Sequence, residues 1–152
     1  MTDFTSREDL GAFVTAAGLV LDEIAPTMVR GHIDLTEDHH TPWGIVHGGV
    51  YSSAVESAAS LGASVAVRDR GMAAVGLVNT THFLRSVSSG RVLVEATPIN
   101  QGRTQQLWKV DITTVEGKIV AHGEVRLQNV EPPRLRPGAA ASSPRLARFR
   151  RS

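Results

Sequence analysis

"GIVHGGVYSSAVESAASLGA", residues 44 to 63, sets a histidine and two adjacent glycines in front of an alanine- and serine-rich run that carries a single acid, Glu56. From Gly48 to about Arg68 alanine dominates and no proline intrudes, so propensity predicts a helix of about five turns. At about 100° per residue, Val50, Ala54, Ala58, Leu61 and Val65 form an apolar stripe, while Ser53, Glu56 and Ser60 gather on a different side. A solvated helix face usually carries several charges, whereas residues 47 to 67 contain Glu56 alone. The carboxylate is therefore expected to be partly buried.

The front of this helix offers a second kind of chemistry. Its first turn exposes unpaired N–H groups at the positive end of the macrodipole, and Gly48 and Gly49 let a ligand approach that backbone closely. Such donors suit a carbonyl oxygen that gains negative charge during attack; the plainer alternative is that the glycines only fit a tight loop-to-helix turn. Glu56 lies seven or eight residues further on, roughly 10–12 Å along the axis. One acyl carbon can hardly meet both the amides and the carboxylate of one helix. If they cooperate, a second copy of the chain brings its amides to Glu56, and the site lies at a two-fold interface.

Outward from the helix, the sequence predicts an α+β domain. "SREDLGAFVTAAG" reads as a short helix from Ser6 to near Gly18, with Glu8 and Asp9 in its first turn. "LVLDEIAPTMVRGHIDLT" alternates around Pro26, with Val29, Ile33 and Leu35 on one side and Arg30, His32 and Asp34 on the other, as in a hairpin. After residues 37 to 46, a loop, and the long helix come "AAVGLVNTTHFLRSV", "GRVLVEATPINQG", "TQQLWKVDITTV" and "IVAHGEVRLQNV". Four strands in succession with short connections make an antiparallel sheet. The domain is assigned to residues 1–132. Residues 133–152, rich in Pro, Ala, Ser and Arg, are expected to be a disordered basic tail.

Composition narrows the chemistry. Without cysteine there is no disulfide, thiolate ligand or Cys nucleophile. Six of the 16 basic residues lie in the tail, leaving 10 against 15 acids before it, so the body is acidic and does not read as a nucleic-acid-binding core. No stretch has the length of a membrane span and the polar start lacks the pattern of a secretory signal, so a cytoplasmic protein is expected. His39, His40 and His47 lack the i, i+4 spacing of a helical metal site, and no metal is expected. Ser57 and Ser60 have no G-x-S-x-G elbow, and no phosphate loop or dinucleotide fingerprint occurs.

With the strands above, "GIVHGGVYSSAVESAASLGA" resembles the hot-dog-fold acyl-CoA thioesterases, the phenylacetate-type and 4-hydroxybenzoyl-CoA enzymes with a glutamate on the central helix; the likeness spans about residues 10 to 130. The resemblance implies a curved antiparallel sheet wrapped around the long helix, dimers joined sheet edge to sheet edge, and homotetramers of two such dimers. It implies hydrolysis of an acyl-CoA thioester with no cofactor, coenzyme A being part of the substrate. Carried over by position, Glu56 is the catalytic carboxylate, acting as nucleophile or general base. Gly48 supplies the N–H that polarises the thioester carbonyl, Ser60 lies near the attacking water, and His47 shapes the turn.

Six residues before His47, where the family has Asn or Gln on the thioester oxygen, stands Thr41; its hydroxyl, or the neighbouring His40, is the substitute. For coenzyme A the resemblance points to Asn79, Thr80, His82 and Arg85 on the strand after the helix and to Arg103 beyond Gly102, with Gly49 beside the substrate. Two other functions suit the same fold: an acyl-thioester hydratase or dehydratase using a histidine, and a non-catalytic acyl-CoA sensor. The first places its histidine in a different motif. The second would be expected to lose the acid, or to carry a DNA-binding segment.

Overall fold

The computed structural model describes residues 10–132, so the assigned tail and the first turn expected from Ser6 lie outside the described residues. Within them, α1 spans Ala12–Ala17 and α2 spans Gly48–Val67. The strands are β1 Leu19–Ala25, β2 Met28–Leu35, β3 Ala73–Phe83, β4 Gly90–Gln101, β5 Gln105–Thr114 and β6 Ile119–Val130. They form one antiparallel sheet in the order β1-β2-β4-β5-β6-β3, and α2 packs against all six. This is the α+β, hot-dog arrangement that the sequence leads one to expect.

In β2, Val29, Gly31, Ile33 and Leu35 are buried and Arg30 and Asp34 are exposed, because alternate side chains face opposite sides of the sheet. On the outer face Arg30 pairs with Glu23 and Glu95, and Arg91 with Asp34. The inner face closes on α2.

The buried face of α2 is rotated from the stripe predicted by spacing. Tyr51, Ala54, Val55, Ala58, Ala59, Gly62, Ala63 and Val67 are buried, whereas Val50, Leu61 and Val65 are only partly so. The physical reason is the closeness of the sheet. Trp108 on β5, fully buried, lies directly over Gly62: a Cβ there would come within 2.5 Å of Trp108 Cη2 and 3.0 Å of Val29 Cγ2. Around Gly62 the sheet therefore settles over a run of small residues, Ala58, Ala59, Gly62 and Ala63, while Leu61 and Val65 are left at the flank.

A buried polar network holds the Trp108 ring. Its Nε1–H donates to Gln106 Oε1 at 2.9 Å, and Gln106 Nε2 donates to Ala63 O at 2.9 Å and Asn129 Oδ1 at 2.8 Å. Asn129 Nδ2 in turn donates to the carbonyls of Gly102 and Arg103, both at 3.1 Å. Gly62→Ala gains about 1 kcal/mol in helix propensity, but it overpacks a ring that cannot slide without breaking its hydrogen bond, at about 1–3 kcal/mol. The variant is expected to lose about 1 kcal/mol net in urea unfolding; a gain would show that the ring yields.

Candidate active site

The α2 N-terminus is built by His47. Its extended backbone makes it the N-cap, and its Nδ1 accepts the Gly49 N–H at 2.8 Å, while its carbonyl accepts the Val50 N–H at 3.0 Å. A Cβ on Gly49 would crowd that imidazole nitrogen at 2.9 Å, so the cap itself calls for glycine. The remaining first-turn donor is Gly48 N–H, which has no acceptor among the described residues. The Phe83 ring packs over Gly48, 2.9 Å from where a Cβ would stand. Ser52 and Ser53 turn back on the helix, donating to the carbonyls of Gly48 and Gly49.

Beside this terminus is a cavity of about 370 Å³ whose walls include Thr41, Trp43, Gly48, Tyr51, Phe83 and Arg85. Thr41 lies in the turn before the helix; its Oγ1 accepts the Trp43 N–H at 3.3 Å, which leaves its own O–H to donate. His40 is committed elsewhere, its Nε2 bonded to Ser88 O at 2.6 Å. His39 is buried, with Nδ1 accepting the Thr36 N–H at 3.0 Å. Among the described residues no three His, Asp or Glu side chains gather as a metal site.

Glu56 is partly buried on the α2 flank facing β3. Its Oε2 accepts from Asn79 Nδ2 at 3.0 Å and its Oε1 lies 3.4 Å from Ser60 Oγ. Asn79 Nδ2 also donates to Ser52 O at 3.2 Å, and Asn79 Oδ1 accepts from Thr81 Oγ1 at 2.7 Å. Gly76 leaves the room for this: a Cβ there would overlap Glu56 Oε1.

A β-bulge decides which β3 residues reach Glu56. Opposed residues of an antiparallel pair share a face. Gly76 opposes buried Leu127 and Asn79 opposes buried Val125, with an extra residue between Gly76 and Val78. Simple alternation from Gly76 would send Val78, Thr80 and His82 toward α2. The bulge instead turns Asn79 and Thr81 inward and places Thr80 and His82 on the outer face, opposite Glu124 and His122. His122 is bonded there to Asp111 at 2.7 Å.

The two arginines singled out in the sequence are at opposite ends of α2. Arg85 borders the N-terminal cavity, whereas Arg103 lines a cavity of about 340 Å³ at the C-terminal end with Arg70, which donates to Arg103 O at 3.3 Å. A helix of this length separates them by about 30 Å. One chain does not bring them together.

A scan against family models matches residues 44–121, from the turn before α2 to β6, to the thioesterase superfamily. The chain belongs to that superfamily. A Mycobacterium tuberculosis protein provisionally described as an esterase is 42% identical over 121 residues, covering 78% of this chain and 86% of the relative. Its solved structure superposes with a TM-score of 0.77, covering 80% of this chain and 98% of the other. A 1,4-dihydroxy-2-naphthoyl-CoA thioesterase of Arabidopsis thaliana is 37% identical over 94 residues, covering 61% of this chain and 59% of the relative. The structure of a thioesterase from Haemophilus influenzae superposes with a TM-score of 0.76 at 29% identity, over 84% of this chain and 88% of that one. This superfamily member thus has a fold whose solved examples include thioester hydrolases.

Tyr51, the chain's one tyrosine, provides a spectroscopic handle on the N-terminal cavity. Its Oη is buried with no partner among the described residues, and desolvation pushes its pKa up to about 12. Because the native state holds the phenol neutral while an unfolded chain ionises near pH 10, stability is unaffected below that pH and falls progressively between about 10 and 12. Phenolate absorbance is expected to rise with a midpoint about two units above that of free tyrosine, and Tyr51→Phe to remove this part of the alkaline loss of stability. A midpoint near that of free tyrosine would mean the ring is not shielded.

Proposed function

We propose that the chain hydrolyses an acyl-CoA thioester to the free acid and coenzyme A, using Glu56 against the Gly48 N–H of a second copy. The observation that carries this reading is the Gly48 N–H. His47 spends its imidazole on Gly49 and leaves one donor, the N–H of Gly48, at the positive end of a long helix in a residue that lines a cavity. Thr41, on the same cavity with a free O–H, is the second donor to the thioester oxygen, in preference to His40.

Glu56 acts as nucleophile, or as general base on water. In the second case the water oxygen bonds to the acyl carbon, its proton passes to Glu56, and collapse of the tetrahedral intermediate breaks the C–S bond and returns the proton to the leaving thiolate. Ser60 lies near the attacking water. About 12 Å of helix separates Gly48 from Glu56, so the donor comes from a partner. The β3 edge suits that pairing: Val75, Leu77 and Val78 are about half exposed on it, and no Asp, Glu, Lys or Arg occurs from Ala73 to Phe83. Such an edge lacks the charges that ordinarily discourage strand addition; β1, at the other edge, carries Asp22 and Glu23. Two such dimers would form the homotetramer.

An aryl or medium-chain acyl group suits a cavity walled by Trp43, Tyr51 and Phe83, and the name of the Arabidopsis relative favours an aromatic one. Thiol release from benzoyl-, phenylacetyl- and straight-chain acyl-CoAs tests the reading. The wild type is expected to cleave at least one, and Glu56→Ala to lower kcat by about 10³-fold or more while remaining a folded oligomer. If acyl-CoA binds and no thiol is released, the chain is a sensor instead.

Arg85 and Arg103 would contact the phosphates of coenzyme A, from different copies. Arg85→Ala and Arg103→Ala should each raise KM for acyl-CoA by about 10-fold, a loss of roughly 1.4 kcal/mol as for one charged contact. Neither should alter KM for an acyl-N-acetylcysteamine, which lacks phosphate. An equal rise on both substrates would remove these residues from phosphate binding.

A further inference from the structure

We propose that Thr81 is a positioning residue for Glu56, acting through the Asn79 side-chain amide. The hydrogen-bonding roles in this chain of contacts are forced by chemistry. Ser52 O and Glu56 Oε2 can only accept, so both must face Asn79 Nδ2, which has two protons to give. Asn79 Oδ1 can only accept, so Thr81 donates to it at 2.7 Å. Flipped by 180°, the amide would set its oxygen against the Ser52 carbonyl and the Glu56 carboxylate and its nitrogen toward Thr81. The Thr81 hydroxyl thereby fixes the amide in the orientation that holds the carboxylate.

Glu56 has little else to orient it. On one side its Oε1 lies against Gly76, which offers space and no side chain, and the contact to Ser60 Oγ is long at 3.4 Å. Asn79 itself is solvent-exposed on an edge strand, where a lone amide would sample several rotamers. Two anchors stop it: the helix carbonyl of Ser52 and the hydroxyl of Thr81. Thr81 is partly buried beside Val55 and Gly123 and is held by the same bulge register that turns Asn79 inward.

The bulge thus delivers the two residues to Glu56 together, Thr81 behind and Asn79 in front. Asn79 is in this account a carboxylate holder and not a pantetheine contact. The catalytic consequence rests on the thioesterase reading; the hydrogen-bond relay does not.

The test uses the full chain with Thr81→Val, Thr81→Ser, Asn79→Ala and the Thr81→Val/Asn79→Ala pair. With whichever acyl-CoA the wild type cleaves, Thr81→Val is expected to lower kcat about 10-fold, since small misplacement of a reacting group is costly, with KM within about twofold. Thr81→Ser should restore the rate, and Thr81→Val should add nothing in the Asn79→Ala background. Additive losses, a failure of serine to rescue, or a change confined to KM would overturn the proposal. A readout without substrate separates the two claims: the Asn79 side-chain NH₂ resonances should shift and exchange faster in Thr81→Val but not in Thr81→Ser. If they do so in a protein that cleaves no acyl thioester, the relay stands and the thioesterase reading falls. If they are unchanged in Thr81→Val, the relay falls whatever the activity.

Discussion

Everything in this fold depends on how closely the sheet can approach α2. The helix presents alanine and glycine at 54, 58, 59, 62 and 63, and the fully buried Trp108 ring rests on Gly62. Close approach lets β3 reach the flank of α2, where its Asn79 meets Ser52 and Glu56. A bulkier helix face would push the strand out and leave the carboxylate in solvent. The same packing fixes the far end of the helix, where Gln106 and Asn129 tie β5 and β6 to Ala63 and to the turn at Gly102 and Arg103.

A helix rises about 1.5 Å per residue, and this sets the logic of the proposed chemistry. The unclaimed Gly48 amide and the Glu56 carboxylate are on one rigid rod, too far apart to act on one carbon. In the proposed dimer, two copies related by a two-fold axis would resolve the conflict without any bending of the rod. The β3 edge, with no Asp, Glu, Lys or Arg, lacks the charges that discourage such pairing. The strand that would carry the interface also carries Asn79, so the edge and the carboxylate are mechanically linked.

Much of this was legible along the chain because it depends on local pattern. The long helix, its start at the glycines, the hairpin and four later strands all follow from periodicity and breaker residues, and the isolation of Glu56 among small residues marked it as unusual. His47 was assigned to the turn only through the family resemblance; that its imidazole caps the Gly49 amide two residues on came from the structure. The first helix was legible in kind and not in extent: Gly11, at φ 86°, caps it, so it begins at Ala12 and not at Ser6.

What the sequence by itself determined was which segments are helix and strand and where the lone acid and the paired glycines fall, because those depend on neighbours one to four residues apart. Tertiary structure decided which face of α2 is buried, because the Trp108 ring can come down only where Gly62 leaves room for it, which rotates the buried face away from Val50, Leu61 and Val65. It decided that Asn79 and Thr81, and not Thr80 and His82, turn toward Glu56, because one extra residue between Gly76 and Val78 shifts the face of every side chain after it. It also set Arg85 and Arg103 at opposite ends of the helix. No periodicity along a strand records a bulge, since the register is settled by pairing with β6 and by the space Glu56 occupies against Gly76.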